Sequence, residues 1–493
     1  MKNRIIPREP GSEASMFMAT QLLNECLSMH PLCRVPQTTS LPTRVLDVGT
    51  IVDDTICLLI SGGRKAGYAA LSYCWGGQQE VVASEGSYEG MAQGIPLSNL
   101  PKTIQDAVTV TRRLGLKYLW VDALCIMQDS PEDWALESSK IGDIYGNATI
   151  TIAAAGGSTC HAGCFIQNSR NTAHSLDKMS LRLPDFGTIS LCVQNDYNPM
   201  NDPLNQRAWA LQERLLSPRL LIYSVGKLSW QCQTKAAPAG IGSARLPDLF
   251  FEEMPVRLHR VWPWNTTPHN SISTLESLWV KISLDYSLRA ITYAHDRLPA
   301  LSGLARRFRD ITDDVYLAGL WKETLCLGLM WQATYVLKSR PSTYVAPTWS
   351  WLSIQGPIIY ANYPRTGKDR PLFEVLKAET VPEGSDTMGA VLSGNITLRG
   401  QVKQARQKAN RELWGVAEEQ VGHALVDFES EFVDSIDGPL WCLQLFEDKG
   451  LLLKPSGESY QRVGIFVLGW EEFGGITGQT WFEDSELRTL NLI

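Results

Sequence analysis

The segment Tyr118-Leu-Trp-Val-Asp-Ala-Leu-Cys-Ile-Met-Gln-Asp129 constrains the fold more than any other stretch of this chain. It reads as an apolar strand that ends in Asp122. A helical pattern follows, and then a second apolar run, Ala148–Ala155. Upstream, Tyr68–Trp75 reads as another strand, closed by Gly76-Gly77. A helix opened by Pro101 and stopped by Gly115 leads back to Tyr118. Strand, helix, strand, helix, strand at this spacing predicts a parallel α/β sheet between 68 and 155. Ligands bind at the carboxyl ends of such strands. Asp122, Cys125 and Asp129 at a strand mouth therefore mark either a polar pocket or a hydrogen-bond hub.

Around this core the pattern predicts a helix over 12–30, ended by Pro31. Short strands are expected at Arg44–Val48 and Ile56–Ile60, and one capped helix runs from Ser130 to Tyr145. Residues 156–205 read as loop-rich, 205–216 as a helix, and 219–223 with 227–232 as paired strands. Helices are expected from 273 to about 337, and the last 110 residues turn β-rich. The net charge of −7 leaves no basic footprint for nucleic acid. No apolar run is long enough for a membrane span, and the start lacks the apolar core of a secretory signal. Eleven irregularly spaced cysteines predict reduced thiols and a cytoplasmic location. Many of the 16 tryptophans sit beside turns, where large rings line pockets or clamp loops.

Three blocks resemble the heterokaryon incompatibility (HET) domain of filamentous fungi. They are Tyr68-Ala-Ala-Leu-Ser-Tyr-Cys-Trp-Gly76, Leu100–Ala107 continuing through Tyr118–Asp129 to Trp134, Glu137 and Ile144-Tyr145, and Arg207-Ala-Trp-Ala-Leu-Gln-Glu-Arg-Leu-Leu-Ser217 ending in Trp230-Gln-Cys232. The resemblance divides the chain into an N-terminal helical flank (1–44), a HET α/β core (45–235), a mainly helical region (236–340) and a β-rich C-terminal region (341–493). Outside the core, Cys26…His30…Cys33, Tyr286–Leu304 and Pro347–Trp351 also resemble full-length members. Ile141 and Ala210 depart from the family's usual residues, without loss of a candidate catalytic group. The resemblance implies a TIR-like, flavodoxin-like parallel-sheet core and a role in non-self recognition and programmed cell death. Some TIR domains cleave NAD with a helical Glu, and Asp133-Trp-Ala-Leu-Glu137 is similar to their Trp-x-x-Glu arrangement.

Glu137 and Asp122 are the candidate catalytic carboxylates, each with a structural alternative. Glu137 stabilises a ribose cation or pairs on the surface with Lys140. Asp122 serves a pocket or a buried pair with Arg207. The candidate ligand-binding residues are Ser72, Tyr73, Trp75, Gly76, Asp129, Trp134, Arg207 and Glu213. Arg207 and Glu213 also read as internal bridges from the third block to the sheet, and Gly76-Gly77 as a plain turn. Cys125 lacks a histidine nearby in these blocks and reads as an inert thiol. Cys26, His30 and Cys33, or Cys160, His161 and Cys164, have no standard zinc-finger spacing, so no metal is expected. Trp349 and Trp351 read as packing.

Three functions remain open at this stage. The first is a cell-death effector that hydrolyses NAD, with NAD as substrate and no cofactor. The second is a non-enzymatic module that self-associates or binds a partner protein. The third is a secondary-metabolism enzyme using the same pocket.

Overall fold

The computed structural model describes residues 9–30, 33, 39–167, 178–183, 187–192, 201–233, 236–238, 272–360, 370–408, 411–429, 440–469 and 481–493. The chain divides into two compact units, Met1–Pro268 and His269–Ile493. Among the described residues, no helix is long and apolar enough to cross a membrane.

In the first unit, α1 (Glu13–Met29) is capped by the Ser12 side chain. β1 (Arg44–Asp47) and β2 (Thr55–Ile60) form a hairpin. β3 (Tyr68–Ser72) is buried at every position, and the chain leaves the strand before Tyr73. α2 (Lys102–Arg113) crosses to β4 (Tyr118–Trp120), with Ile104, Ala107, Val108 and Val110 inward. Gly115 follows at φ +74°, the left-handed conformation that ends a helix. α3 (Pro131–Ser138) and α4 (Ile141–Asn147) lead to β5 (Ile150–Ala153). α5 (Ala208–Leu216) then precedes the hairpin of β6 (Arg219–Ser224) and β7 (Lys227–Cys232).

The nine-stranded sheet runs Ala236–Pro238, β7, β6, β5, β3, β4, β1, β2, Ile95–Pro96. Its centre is parallel: β6 on β5, β5 on β3, and β3 on β4. Antiparallel strands extend both sides. In chain order, the parallel strands lie 2-1-3-4. The chain reverses direction across β3, so the switch point falls between β3 and β5.

Three expectations need correction. Helices do not run on to about 337: the helix Pro299–Thr312 is followed by short strands at Tyr316–Leu317, Leu320–Trp321 and Gln332–Ala333, with only the four-residue helix Leu325–Gly328 between them. Asp122 does not end a strand; it opens a short helix, Asp122–Cys125, after β4 has stopped at Trp120. The single helix over Ser130–Tyr145 is two helices. Ser130 does cap the first, accepting from Asp133 N. The break lies at Ser139-Lys140, where the Ser138 and Ser139 hydroxyls donate to the Ala135 and Leu136 carbonyls and Lys140 N turns to Glu137 O. Short polar side chains that bond local carbonyls in this way compete with the helical ladder.

The second unit carries the helices Ile272–Ser287 and Pro299–Thr312, followed by an antiparallel β-region. Its ladder runs Val391–Gln407, Glu412–Gly415, Gln420–Val426, Ser459–Leu468, Lys449–Ser456, Leu440–Phe446, and then back to Val391–Gln407. These six strands close into a ring, and Phe373–Pro382 and Glu486–Leu492 pair alongside Val391–Gln407. Trp349 and Trp351 are wholly buried, and Trp351 Nε1 donates to Gly319 O at 2.9 Å. They are packing residues within the second unit.

Candidate functional site

The carboxyl ends of β3 and β4 and the start of α5 converge on one polar cluster. Ser72, the last residue of β3, donates its hydroxyl to Glu213 Oε2. Arg207, the residue before α5, donates through Nη1 to the Tyr73 carbonyl. The Trp75 indole donates through Nε1 to Asp122 Oδ2 at 2.9 Å. Asp122 Oδ1 accepts from Ala123 N at 2.7 Å. The Tyr145 hydroxyl, from α4, donates to Leu71 O at 2.8 Å and lies against Glu213. Asp122, Glu213, Arg207 and Trp75 are half-buried, whereas Ser72 and Tyr73 beneath them are buried.

Electrostatics single out Glu213. Burial pushes its carboxyl up to about 7. The Ser72 hydroxyl and the Arg207 guanidinium act in the opposite sense, and the Asp122 charge adds to the rise. Burial also raises Asp122, opposed by Arg207, Ala123 N and the Trp75 indole. Tyr73 is raised well above its ordinary range by burial and by the neighbouring Asp122. Its hydroxyl has Asp122 as an electrostatic neighbour but no well-aligned hydrogen bond. Two carboxyls that both feel the charge of one guanidinium, one of them poised near neutrality, can position hydroxyls, bind phosphate or exchange a proton.

The cluster therefore holds Ser72, Tyr73, Trp75, Asp122, Arg207 and Glu213 from the sequence candidates. Gly76 borders it at φ +75°, where a Cβ would lie 2.4 Å from Thr159 Cγ2. Three candidates have other partners. Asp129 is exposed and accepts from Glu85 N at 3.0 Å, tying down a loop. Trp134 packs edge-to-face on Trp209, with ring centroids 6.4 Å apart. Glu137 is fully buried rather than on the helix surface. Its Oε1 accepts from Thr43 Oγ1 and Lys140 Nζ, each at 2.8 Å, and its Oε2 has no hydrogen-bond partner. Cys125 is buried, and its thiol is pushed up to about 12, which suits an inert side chain.

Sequence reasoning missed Tyr145 as a site residue, because its place in a buried stripe explained it fully. Arg207 precedes α5, so helical spacing does not govern its direction relative to Glu213.

Fold and cluster together define an α/β domain with a polar site at the carboxyl ends of its parallel strands β3 and β4. Residues 68–213 match the family model described as Heterokaryon incompatibility protein (HET). The chain thus carries a HET domain. That match begins at β3 and ends at Glu213, so it spans every residue of the cluster. No curated protein matches the chain, and no solved structure does.

Proposed function

We propose that the cluster is the active site of a TIR-like NAD hydrolase, and that the chain acts as a cell-death effector in fungal heterokaryon incompatibility. The observation carrying this reading is the pair Asp122 and Glu213 around Arg207 at the carboxyl ends of parallel strands. The 2-1-3-4 strand order, which flavodoxin-like sheets share, supports it.

Each residue then has a task. Arg207 binds the diphosphate of the dinucleotide. The Trp75 ring stacks on the nicotinamide, with the Gly76 backbone at the edge of the cleft. Ionised Asp122 stabilises the positive charge that develops on the ribose. The C1′–N1 bond breaks with its electron pair leaving on the nicotinamide nitrogen, which becomes a neutral pyridine. Water adds to C1′ and gives its proton to the Glu213 carboxylate. A base with a pKa near 7 suits that transfer at neutral pH. Glu137 is the rival carboxylate, from the Trp-x-x-Glu segment. Its ion pair with Lys140 and bond to Thr43 favour a positioning role.

The test is nicotinamide release from NAD by the full chain, followed by chromatography. Glu213→Gln and Asp122→Asn are each expected to lower turnover about 100-fold or more. Glu137→Gln is expected to retain most activity. A wild-type chain that is folded, tested at high concentration and silent would refute the enzyme reading. Light scattering on the same sample would then ask whether the domain self-associates instead.

A further inference from the structure

Away from that cluster, four potential metal ligands from two distant parts of the first unit meet. Cys26 lies on α1, His30 is its C-cap, and Cys33 follows. Cys232 is the last residue of β7. Their ligand atoms all lie within 4.8 Å of one another. His30 Nδ1 stands 3.6 Å from Cys232 Sγ and 3.9 Å from Cys33 Sγ. A tetrahedral zinc ion holds sulfur at about 2.3 Å and nitrogen at about 2.0–2.1 Å, which spaces a sulfur and a nitrogen ligand about 3.6 Å apart. The two sulfur–nitrogen separations therefore stand close to what a metal would impose, and the four ligand atoms are near enough together to share one ion.

The surroundings agree in two independent ways. Arg219 is 1 % exposed, and its described partners are Cys26 Sγ, Thr149 O and Cys33 O, with no carboxylate among them. A buried guanidinium needs a counter-charge. Three thiolates, one neutral imidazole and one divalent ion sum to a single negative charge, which Arg219 balances. Arg219 Nε reaches Cys26 Sγ at 3.2 Å, the position of an outer-shell donor to a ligating thiolate. On the other side, His30 Nε2 lies 3.7 Å from Glu25 Oε1. A carboxylate on the side of the far ring nitrogen favours the tautomer that leaves Nδ1 free to ligate.

We propose that Cys26, His30, Cys33 and Cys232 form a structural zinc site. Four protein ligands, three of them buried cysteines, leave no open position for substrate, so the ion is not catalytic. It clips α1 to the end of β7 and so pins the N-terminal flank to the sheet. Binding converts three thiols to thiolates and releases their protons to solvent. The expectation of no metal rested on spacing within one segment. The fourth ligand comes from the far end of the domain, which that spacing cannot reveal.

The test uses the full chain, purified without chelator and analysed for metal by mass spectrometry. About one zinc per chain is expected. Cys26→Ser and Cys232→Ser should each lower that content about tenfold or more, while Cys160→Ser and Cys164→Ser keep it. If the first two variants do not fold, the wild-type chain still decides the matter. Modifying its thiols with a mercurial should release zinc to a chromogenic chelator in step with loss of three thiols. Cobalt(II) exchanged into the site should give the intense visible bands of a tetrahedral thiolate complex. A metal-free, folded wild-type chain, or a disulfide between any two of these cysteines in the native protein, would overturn the proposal.

Discussion

Glu213→Gln tests the electrostatics of the cluster without any assumption about substrate. The fold raises this carboxyl from 4.5 to about 7, chiefly by burial. The native state therefore holds its proton more tightly than the unfolded chain does. Below about pH 4.5 both states are protonated and the group costs nothing. As pH rises from there to about 7, the unfolded chain loses its proton first and stability falls; above that range the loss is constant. Each pKa unit is worth about 1.4 kcal/mol, so the rise from 4.5 to about 7 sets a ceiling of about 3.5 kcal/mol on the loss. Water reaching the half-buried side chain lowers it. Glutamine keeps the shape and cannot ionise. The variant should match the wild type in urea denaturation near pH 4 and exceed it by about 1–3 kcal/mol near pH 8. An equal or lower stability near pH 8 would refute the buried-acid account of Glu213. The same substitution should abolish NAD hydrolysis, so activity and stability would move in opposite directions at one residue.

Other substitutions probe neighbouring links. Ser72→Ala removes the hydroxyl that holds Glu213 down; its titration and the rising limb of the activity–pH profile should move to higher pH, read by kinetics across pH. Gly76→Ala places a Cβ 2.6 Å from the Thr159 backbone at a left-handed φ; it should destabilise by about 2 kcal/mol in thermal or urea melts. In the second unit, Arg462 is wholly buried, pairs with Asp427 at 3.5 Å and lies over the Trp331 ring. Arg462→Met strands a buried carboxylate and should cost about 3–5 kcal/mol. Adding Asp427→Asn should recover part of that loss.

The regular elements were legible because each rests on a local rule. Pro101, Gly115, Ser130 and Pro131 punctuate helices by chemistry that needs no tertiary contact. The apolar runs at 68 and 150 are strands buried on both faces, as a parallel centre requires. The errors fall where a short polar side chain had two local options. Ser138 and Ser139 could continue a helix or bond to its carbonyls, and they do the latter. The break between α3 and α4 puts Glu137 on a different helix from Ile141 and Tyr145.

The site was half legible for a related reason. Ser72 ends one parallel strand and Asp122 follows the next, so topology alone carries them to one edge of the sheet. Arg207 and Glu213 arrive on a separate segment, and only the packing of α5 decides whether they reach that edge or bridge elsewhere. They do both: Arg207 is bonded to the Tyr73 carbonyl, and Glu213 to Ser72. The bonds that anchor the third block to the sheet are thus the bonds that set the Glu213 proton affinity. A structural bridge and a catalytic base are then not rival readings of Glu213. The bridge supplies the burial that raises the carboxyl, and Arg207 and Ser72 limit that rise to about 7. It follows that Arg207→Gln should weaken the fold and raise the Glu213 pKa together. A variant that lost stability while the activity–pH profile stayed fixed would separate the two roles and leave the bridge purely structural.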